Sequence, residues 1–404
     1  MHKPISLSGW KRPAGIVLVL IIVLELGFLL LNDKKSMPDL EPNKSANKSV
    51  WLENDDVLLY LETISQLQNH DMYLAADRNN GQLIQDSLKY LAERIDPFAA
   101  YLTASEFINW KQAQGDDYIG IGMEIVKNQA GQVICLPYPG TPAEKAGIHN
   151  GDQLLSIANE AVQGRSILAI GALARGAVNT DITLSIQNRN GEQKTLSLTR
   201  SAIAFDSVTL SRLDTFPVIK ISAFTPDTPA KLKKLLATVD NAKPLVIDLR
   251  GNAGGEFSAA VDAAKLFLSE HKTISAIKTK QTTENYPSDN SRINTSRLFL
   301  WQDAGTASSA EVFIAALTRN QRATSLGKNS FGKGSRQEIL QLSDGSALFI
   351  TTGLLQTPDG EFFDGKGLAP DANLAANNPK TSDYLLKLKE LLQDKSKITN
   401  TDKQ

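Results

Sequence analysis

Apolar residues fall along this chain in three textures. From Ala14 to Leu31 they run for 18 residues, broken only by Glu25 and small glycines. At about 1.5 Å per residue a helix of that length spans roughly 27 Å, close to the hydrocarbon thickness of a bilayer. The run therefore predicts a transmembrane anchor at 14–31, preceded by a short tail at 1–13. No small-x-small cleavage pattern follows Leu31, because the chain passes directly into Asn32-Asp33-Lys34-Lys35. A retained anchor is expected rather than a cleaved signal peptide. Lys3, Lys11 and Arg12 before the run face Lys34 and Lys35 after it, so loop charge hardly chooses an orientation. Residues 32–49 carry Pro38 and Pro42 and no apolar period, the texture of a flexible linker.

The second texture, over 50–113, is helical. Val57, Leu58, Leu61, Ile64 and Leu67 recur at three- and four-residue spacing, and Leu83 to Ile95 repeats the pattern until Asp96-Pro97. Such a region packs against a core or a second copy of the chain, and homo-oligomerisation through it is one expectation.

The third texture alternates short strands with glycine punctuation. Within 114–200, Val133 to Leu136 and Leu154 to Ile157 read as strands. Ile182 to Ile186 and Gln193 to Leu198 read as a hairpin across Asn188 to Gly191. Pro142 to Ala146 reads as a short helix with proline in its first turn, and Gly151-Asp152 as a turn. The blocks Gly140 to Ile148 and Gly151 to Ile157 resemble the centre of a bacterial PDZ domain. Upstream, Gly120-Ile121-Gly122-Met123 is similar to that family's carboxylate-binding loop. Glycines there let successive backbone N–H groups converge on a terminal carboxylate, while the strand edge pairs with the peptide.

From 201 to 380 strands and helices alternate as in an α/β layer fold. Val218 to Ser222, Pro244 to Leu249 and Arg297 to Leu300 are strands. Pro229 to Val239, Ser258 to Leu268 and Ala310 to Arg319 are helices, and 381–404 reads as a final helix and tail. Gly251 to Gly255 has neither the Gly-Lys-Ser/Thr ending of a P-loop nor the spacing of a dinucleotide fingerprint.

Composition narrows the chemistry. Lys plus Arg (43) balance Asp plus Glu (44) across 404 residues, for a net charge of −1, which argues against nucleic acid as a partner. A single cysteine, Cys135, excludes an intramolecular disulfide and any cysteine-based zinc site, and is expected to be a small buried apolar residue. None of the four histidines (His2, His70, His149, His271) adjoins a candidate nucleophile, and no His and acidic cluster has metal spacing. No metal or cofactor is expected. Ser308, at the start of a helix, and Lys333, between Gly332 and Gly334, remain as candidates. A lysine serves as the base for a serine when its surroundings lower its pKa toward neutrality. Taken singly, each residue also has a plain reading: a helix-capping serine and a surface lysine in a turn.

The pair gains meaning from its context. Gly305-Thr306-Ala307-Ser308, Phe331-Gly332-Lys333 and Gln337, with 25 residues from serine to lysine (333 − 308), resemble the carboxyl-terminal processing peptidases, or tail-specific proteases. Ile247 to Arg250 with Asn252 and Gly254-Gly255 match that family's oxyanion-loop motif. Leu348 to Thr352, Thr357-Pro358 and Gly365 to Asp371 match its closing strands, and Asp96-Pro97-Phe98 with Tyr101-Leu102 its motif before the PDZ domain. The resemblance covers about residues 50–375. It implies a crotonase/ClpP-like α/β catalytic core with an inserted mainly-β PDZ domain, an N-terminal helical segment and a membrane anchor. It also implies Ser308 as nucleophile, Lys333 as general base, Gln337 orienting that lysine, and an oxyanion hole from the N–H groups of Gly254, Gly255 and Ser309. Gly120, Ile121, Gly122 and Met123 would take the C-terminus of a protein substrate. The catalytic part would lie in the periplasm, anchored in the bacterial inner membrane. The chain departs from the family in reading Ser308-Ser309-Ala310-Glu311 where Ser-Ala-Ser-Glu is usual, which leaves Ser309 open as the attacking residue. Trp301-Gln302 likewise stands where smaller residues and Asn are common. A PDZ-dependent scaffold or adaptor with little proteolysis is the alternative reading.

Overall fold

The computed structural model describes residues 54–75, 78–96, 98–112, 119–127, 132–137, 140–149, 151–188, 190–203, 207–376 and 379–393. The expected tail, anchor and linker at 1–49, and Pro97 of the motif before the PDZ domain, lie outside them. Among the described residues no helix is long and apolar enough to cross a membrane. The described chain divides into two units, one of 54–203 with 337–351 and one of 207–336 with 352–393.

The first unit opens with α1 (Asp55–His70) and α2 (Asn80–Ile95). Asn54 caps α1 by accepting from the N–H groups of Asp56 and Val57, and Asn79 with Gln82 forms a reciprocal capping box on α2. The two helices pack together, and the Tyr60 and Ser87 hydroxyls share a hydrogen bond. Of the five periodic positions of α1 only Ile64 is buried, and Leu58, Leu61 and Leu67 are exposed. The helical period was legible, but the apolar stripe is wider than α2 covers. β1 (Ala100–Leu102) is buried throughout and pairs antiparallel with residues 347–349. α3 (Ala104–Gln112) then sets Phe107 and Trp110 against Phe349.

The mainly-β part follows as β2 (Ile119–Gly120), β3 (Met123–Lys127), β4 (Val133–Pro137), α4 (Pro142–Lys145), β5 (Gln153–Ile157), β6 (Glu160–Ala161), α5 (Ile167–Ala174), β7 (Asp181–Gln187), β8 (Gln193–Thr199) and β9 (Ser201–Ala202). Strands β3-β4-β5-β7-β8 form one antiparallel sheet in that order, β6 adds to β5, and β2 pairs with β9. The β7–β8 hairpin places Ile182 opposite Leu198, as its alternation predicts, and the Asn188 side chain closes the turn on the N–H groups of Asn190 and Glu192. Cys135, Leu154, Ile157, Ile170 and Leu184 fill its core. Each such fully buried aliphatic side chain contributes about 1.5–3 kcal/mol. Burial pushes the Cys135 thiol up to about 12, so it packs as the small apolar residue expected. Helix α5 was not read in the sequence. Its apolar run of eight carries no period, because its sides are buried both against this core and against α3.

The second unit contains β10 (Val208–Leu213), β11 (Phe216–Ile221), α6 (Thr228–Leu236), β12 (Leu245–Asp248), α7 (Phe257–Lys265), β13 (Thr273–Thr279), β14 (Thr283–Pro287), β15 (Leu298–Gln302), α8 (Ser309–Arg319) and β16 (Ala323–Gly327). β17 (Ser335–Gln341) and β18 (Ala347–Gln356) carry the chain out of this unit and back, and β19 (Ala372–Asn373) and α9 (Thr381–Gln393) complete it. The main sheet has the order β10-β11-β12-β15-β16-β19. β10–β11 is antiparallel and every later pair is parallel. Its central strands are buried on both faces, which is why they read as unbroken apolar runs. Leu245, Ile247, Leu298 and Leu300 join the cluster of α6, α7 and α8, while Val246, Phe299 and Trp301 join Tyr384 and Leu388 of α9. Helices α6 and α7 stop three residues short of the expected ends, Val239 and Leu268. Their last N–H groups, on Val239 and Phe267, turn to carbonyls three residues back and tighten the exit.

Candidate active site

Two loops leave the carboxyl ends of the parallel strands β12 and β15, and hydrogen bonds close them on each other. The Leu249 N–H donates to the Trp301 carbonyl (2.9 Å), the Ala307 N–H to the Asn252 carbonyl (2.9 Å) and the Gly251 N–H to Asp303 Oδ1 (2.9 Å). The Thr306 hydroxyl donates to the Leu249 carbonyl (2.9 Å). Asn252 is wholly buried, with its Nδ2 donating to the Ile221 carbonyl (2.9 Å) and its Oδ1 accepting from the Gly254 N–H (2.8 Å).

Ser308 sits at the junction of this turn with α8. Its φ is 55° and ψ −123°, a region that L residues enter at a cost of about 1–3 kcal/mol and that recurs at functional sites. The turn is packed against Gly254 so closely that a Cβ there would lie 2.8 Å from Ser308 Cβ and 3.2 Å from the Ser309 nitrogen. Only glycine fits, at φ 115°. Ser308 and Ser309 are both 1% exposed, but the Ser309 hydroxyl donates to the Gly255 carbonyl (2.8 Å). Ser309 thereby ties α8 to the neighbouring loop, and its N–H stands in the first turn of α8, where the helix dipole favours negative charge.

Lys333 lies on a third loop, between β16 and β17, and is 0% exposed. The Phe331 N–H donates to the Thr306 carbonyl (2.8 Å), which fixes this loop to the turn before Ser308. Behind it, the Gly365 N–H donates to the Gly332 carbonyl (2.8 Å) and the Gly334 N–H to Asp364 Oδ1 (2.9 Å). Gly332 has φ 93°, and a Cβ on it would come within 2.6 Å of the Gly367 nitrogen. A lysine completely removed from water is rare, since burial penalises its charged form.

Between the serine and lysine loops stands Glu311, in the first turn of α8 and 0% exposed. Its Oε2 accepts from the N–H groups of Ser308 (2.8 Å) and Lys333 (2.9 Å), and its Oε1 from the Gly332 N–H (2.8 Å) and the Ser330 hydroxyl (2.5 Å). Burial pushes its carboxyl up to about 7, against the opposite pull of these four donors. In the sequence Glu311 is only the last residue of Ser308-Ser309-Ala310-Glu311, with no task that its neighbours indicate.

Of the expected site residues, Ser308, Ser309, Gly254, Gly255 and Lys333 stand on these three bonded loops. Gln337 belongs to the other unit, where it is buried and its Nε2 donates to Thr351 Oγ1 (3.1 Å). Gly120 to Met123 are also there. In that loop the Ile121 carbonyl accepts from the Ala143 N–H (2.9 Å) and the Gly122 carbonyl from the Thr141 hydroxyl (2.8 Å), which holds it over the start of α4. Asp248, missed as a partner, clamps Arg250 through Nε (2.8 Å) and Nη2 (2.7 Å). The Arg250 guanidinium then lies over the rings of Trp301 and Tyr384. The large Trp301, a departure from the family's usual residue, thus supports the strand end that leads into the glycine loop.

Residues 216–374 match the model of peptidase family S41, and residues 133–188 match that of a PDZ domain. The chain is 29% identical over 381 residues to a probable CtpA-like serine protease of Staphylococcus aureus (strain COL), covering 92% of this chain and 74% of that protein. It is 30% identical over 314 residues to the probable CtpA-like serine protease of Staphylococcus haemolyticus (strain JCSC1435), covering 76% and 63%. Among solved structures it is similar to the photosystem II D1 C-terminal processing protease, with a TM-score of 0.59 and 26% identity over 80% of this chain and 93% of that one. The chain is a serine-type peptidase of the carboxyl-terminal processing family, carrying a peptidase family S41 domain together with a PDZ domain.

Proposed function

We propose that this chain is a membrane-anchored endopeptidase that cuts proteins at or from their C-terminal tails with a Ser308–Lys333 dyad. The observation that carries the reading is a fully buried lysine on a loop bonded to the strained turn of a fully buried serine. Lys333 accepts the Ser308 proton as Ser308 attacks the scissile carbonyl, and returns it to the leaving amine. The N–H groups of Ser309 and Gly255 receive the oxyanion, whereas the Gly254 N–H, expected from the sequence to share this task, is already given to Asn252 Oδ1 (2.8 Å). The engagement of the Ser309 hydroxyl with Gly255 favours Ser308 as the attacking residue. Gln337 orients the lysine. The catalytic core is of the crotonase/ClpP-like kind, and the loop Gly120 to Met123 receives the substrate's terminal carboxylate.

The apolar run at 14–31 supports an anchor in the bacterial inner membrane, with the catalytic part outside the cytoplasm. The exposed apolar positions of α1 support self-association. The test is cleavage of an unstructured protein by the purified full chain, which Ser308→Ala and Lys333→Ala must each stop. Protease accessibility in spheroplasts tests the placement: digestion of the body from outside supports it, and protection refutes it.

A further inference from the structure

We propose that Glu311 is the positioning residue of this site, a buried carboxylate clamp that joins the nucleophile's turn to the base's turn and sets their separation. The inference rests on the dyad reading and deepens it. Glu311 reaches no reacting atom through these contacts. It accepts from the backbone N–H of Ser308 on one side and from those of Gly332 and Lys333 on the other. The Ser330 hydroxyl completes the set and is held in turn, since its oxygen accepts from the Leu368 N–H (2.6 Å).

Three points make this more than an ordinary helix cap. An N-cap interaction satisfies donors of its own helix, whereas three of these four donors lie 19 to 22 residues further along the chain. One oxygen spans the junction: Oε2 bonds the residue of the nucleophile and the residue of the base at once, while Oε1 holds Gly332 and Ser330 of the base's loop. The site is also one where a carboxylate is costly, because Glu311 is wholly buried and no cation is among these four partners. A fold needing only a cap has cheaper residues available. Fixing Ser308 in its strained backbone conformation and fixing the Lys333 turn are one act, so the two reacting side chains cannot drift independently.

Chemistry selects the residue type. Four donors converge on two oxygens, so the acceptor needs no donor of its own. Glutamine at this position keeps one acceptor oxygen and turns an NH2 toward N–H groups, breaking one side of the clamp while preserving size. Aspartate keeps the charge but is one methylene too short to span both loops.

The experiment compares Glu311→Gln, Glu311→Asp and Ser330→Ala with the full-length wild type in detergent. It measures kcat and KM on a tail peptide and the labelling rate of the serine by a fluorophosphonate. In folded Glu311→Gln we expect kcat and the labelling rate to fall together by on the order of 10²-fold, the effect of misplacing reacting groups by about 1 Å, with KM unchanged. Ser330→Ala, which removes one donor of four, should lie between the variant and wild type. A merely structural role would lower the folded fraction and leave the rate per folded molecule intact. Wild-type kcat in folded Glu311→Gln overturns the clamp. Should Glu311→Gln not fold, Ser330→Ala decides, since full activity there refutes the clamp and a partial loss with unchanged KM supports it. Cleavage that survives Ser308→Ala would instead refute the dyad. The clamp is then judged by amide exchange at Ser308, Gly332 and Lys333, which the clamp requires to quicken in Glu311→Gln, and unchanged exchange refutes it.

Discussion

The turns around Ser308 and the helix α1 depart from ordinary burial in opposite directions. In the second unit Asn252, Glu311 and Lys333 are each 0% exposed, and polar groups occupy places where a fold gains most from aliphatic ones. In the first unit the apolar residues Leu58, Leu59, Leu61 and Leu67 of α1 lie exposed, Leu59 at 62%. The first departure costs desolvation and is held by a mesh of hydrogen bonds whose donors and acceptors come from three loops. The second costs water contact with apolar surface and is held by nothing within the described unit. Buried polar groups with dense partners mark a place where chemistry is prepared. Exposed apolar residues in a row mark a place where another surface fits. The same rule is broken here in two opposite ways, once by polar groups that lost water and once by apolar groups that kept it.

The strongest way to break this contrast is to make the buried site ordinary. Lys333→Met keeps the length and removes the ammonium. Turnover should fall by on the order of 10⁴-fold or more, as when a member of a catalytic set is lost. The melting temperature should stay equal or rise, because a buried polar group has been replaced by an apolar one. A variant that loses stability and activity in step would make Lys333 a structural residue. Gln337→Ala is the next test. A loss on the order of 10²-fold in kcat with little change in melting temperature is expected if Gln337 aligns the base. A parallel loss of stability would confine it to its bond with Thr351.

A smaller effect concerns the carboxylate loop. Amidating the C-terminus of a tail peptide removes the charge that Gly120 to Met123 would receive. A charge-assisted hydrogen bond contributes about 1.5–3 kcal/mol, so KM should rise roughly tenfold or more with kcat unchanged. Equal kinetics for acid and amide would remove the PDZ loop from substrate recognition.

The pH dependence of stability sharpens the buried side. Glu311 titrates near 7 when folded and at its ordinary 4.5 when unfolded. Between those values the folded chain holds a proton that the unfolded chain has lost, so stability falls as pH rises from 4.5 through 7. Melting curves of Glu311→Gln should lack this component. An unchanged slope would mean that another group dominates the window. Least of all should Leu59→Glu disturb the fold. A surface change of this kind stays within about 0.5 kcal/mol, while any self-association seen by sedimentation should be lost. Persistent association would place the contact elsewhere.

Much of this protein is local, and the local part was legible in the chain itself. Backbone hydrogen bonding and side-chain period act over a few residues, so the β7–β8 hairpin, the buried strand β12 and the helices α1, α2 and α8 follow from spacing, turn residues and caps. Serine and lysine 25 residues apart, the lysine between two glycines, stood out as candidates in the chain itself. Other features have causes that lie far along the chain. Whether the apolar positions of α1 would be covered depends on a partner surface that a helical period does not specify. The all-apolar α5 has no period because two neighbours bury it. Glu311 in sequence is a cap residue three positions after a serine, and only folding brings Ser330, Gly332 and Lys333 to its oxygens. Sequence settled which groups are available and which short elements carry them. Tertiary structure decided which lose water, and a buried carboxylate or lysine takes its character from that loss and from the donors that replace the water.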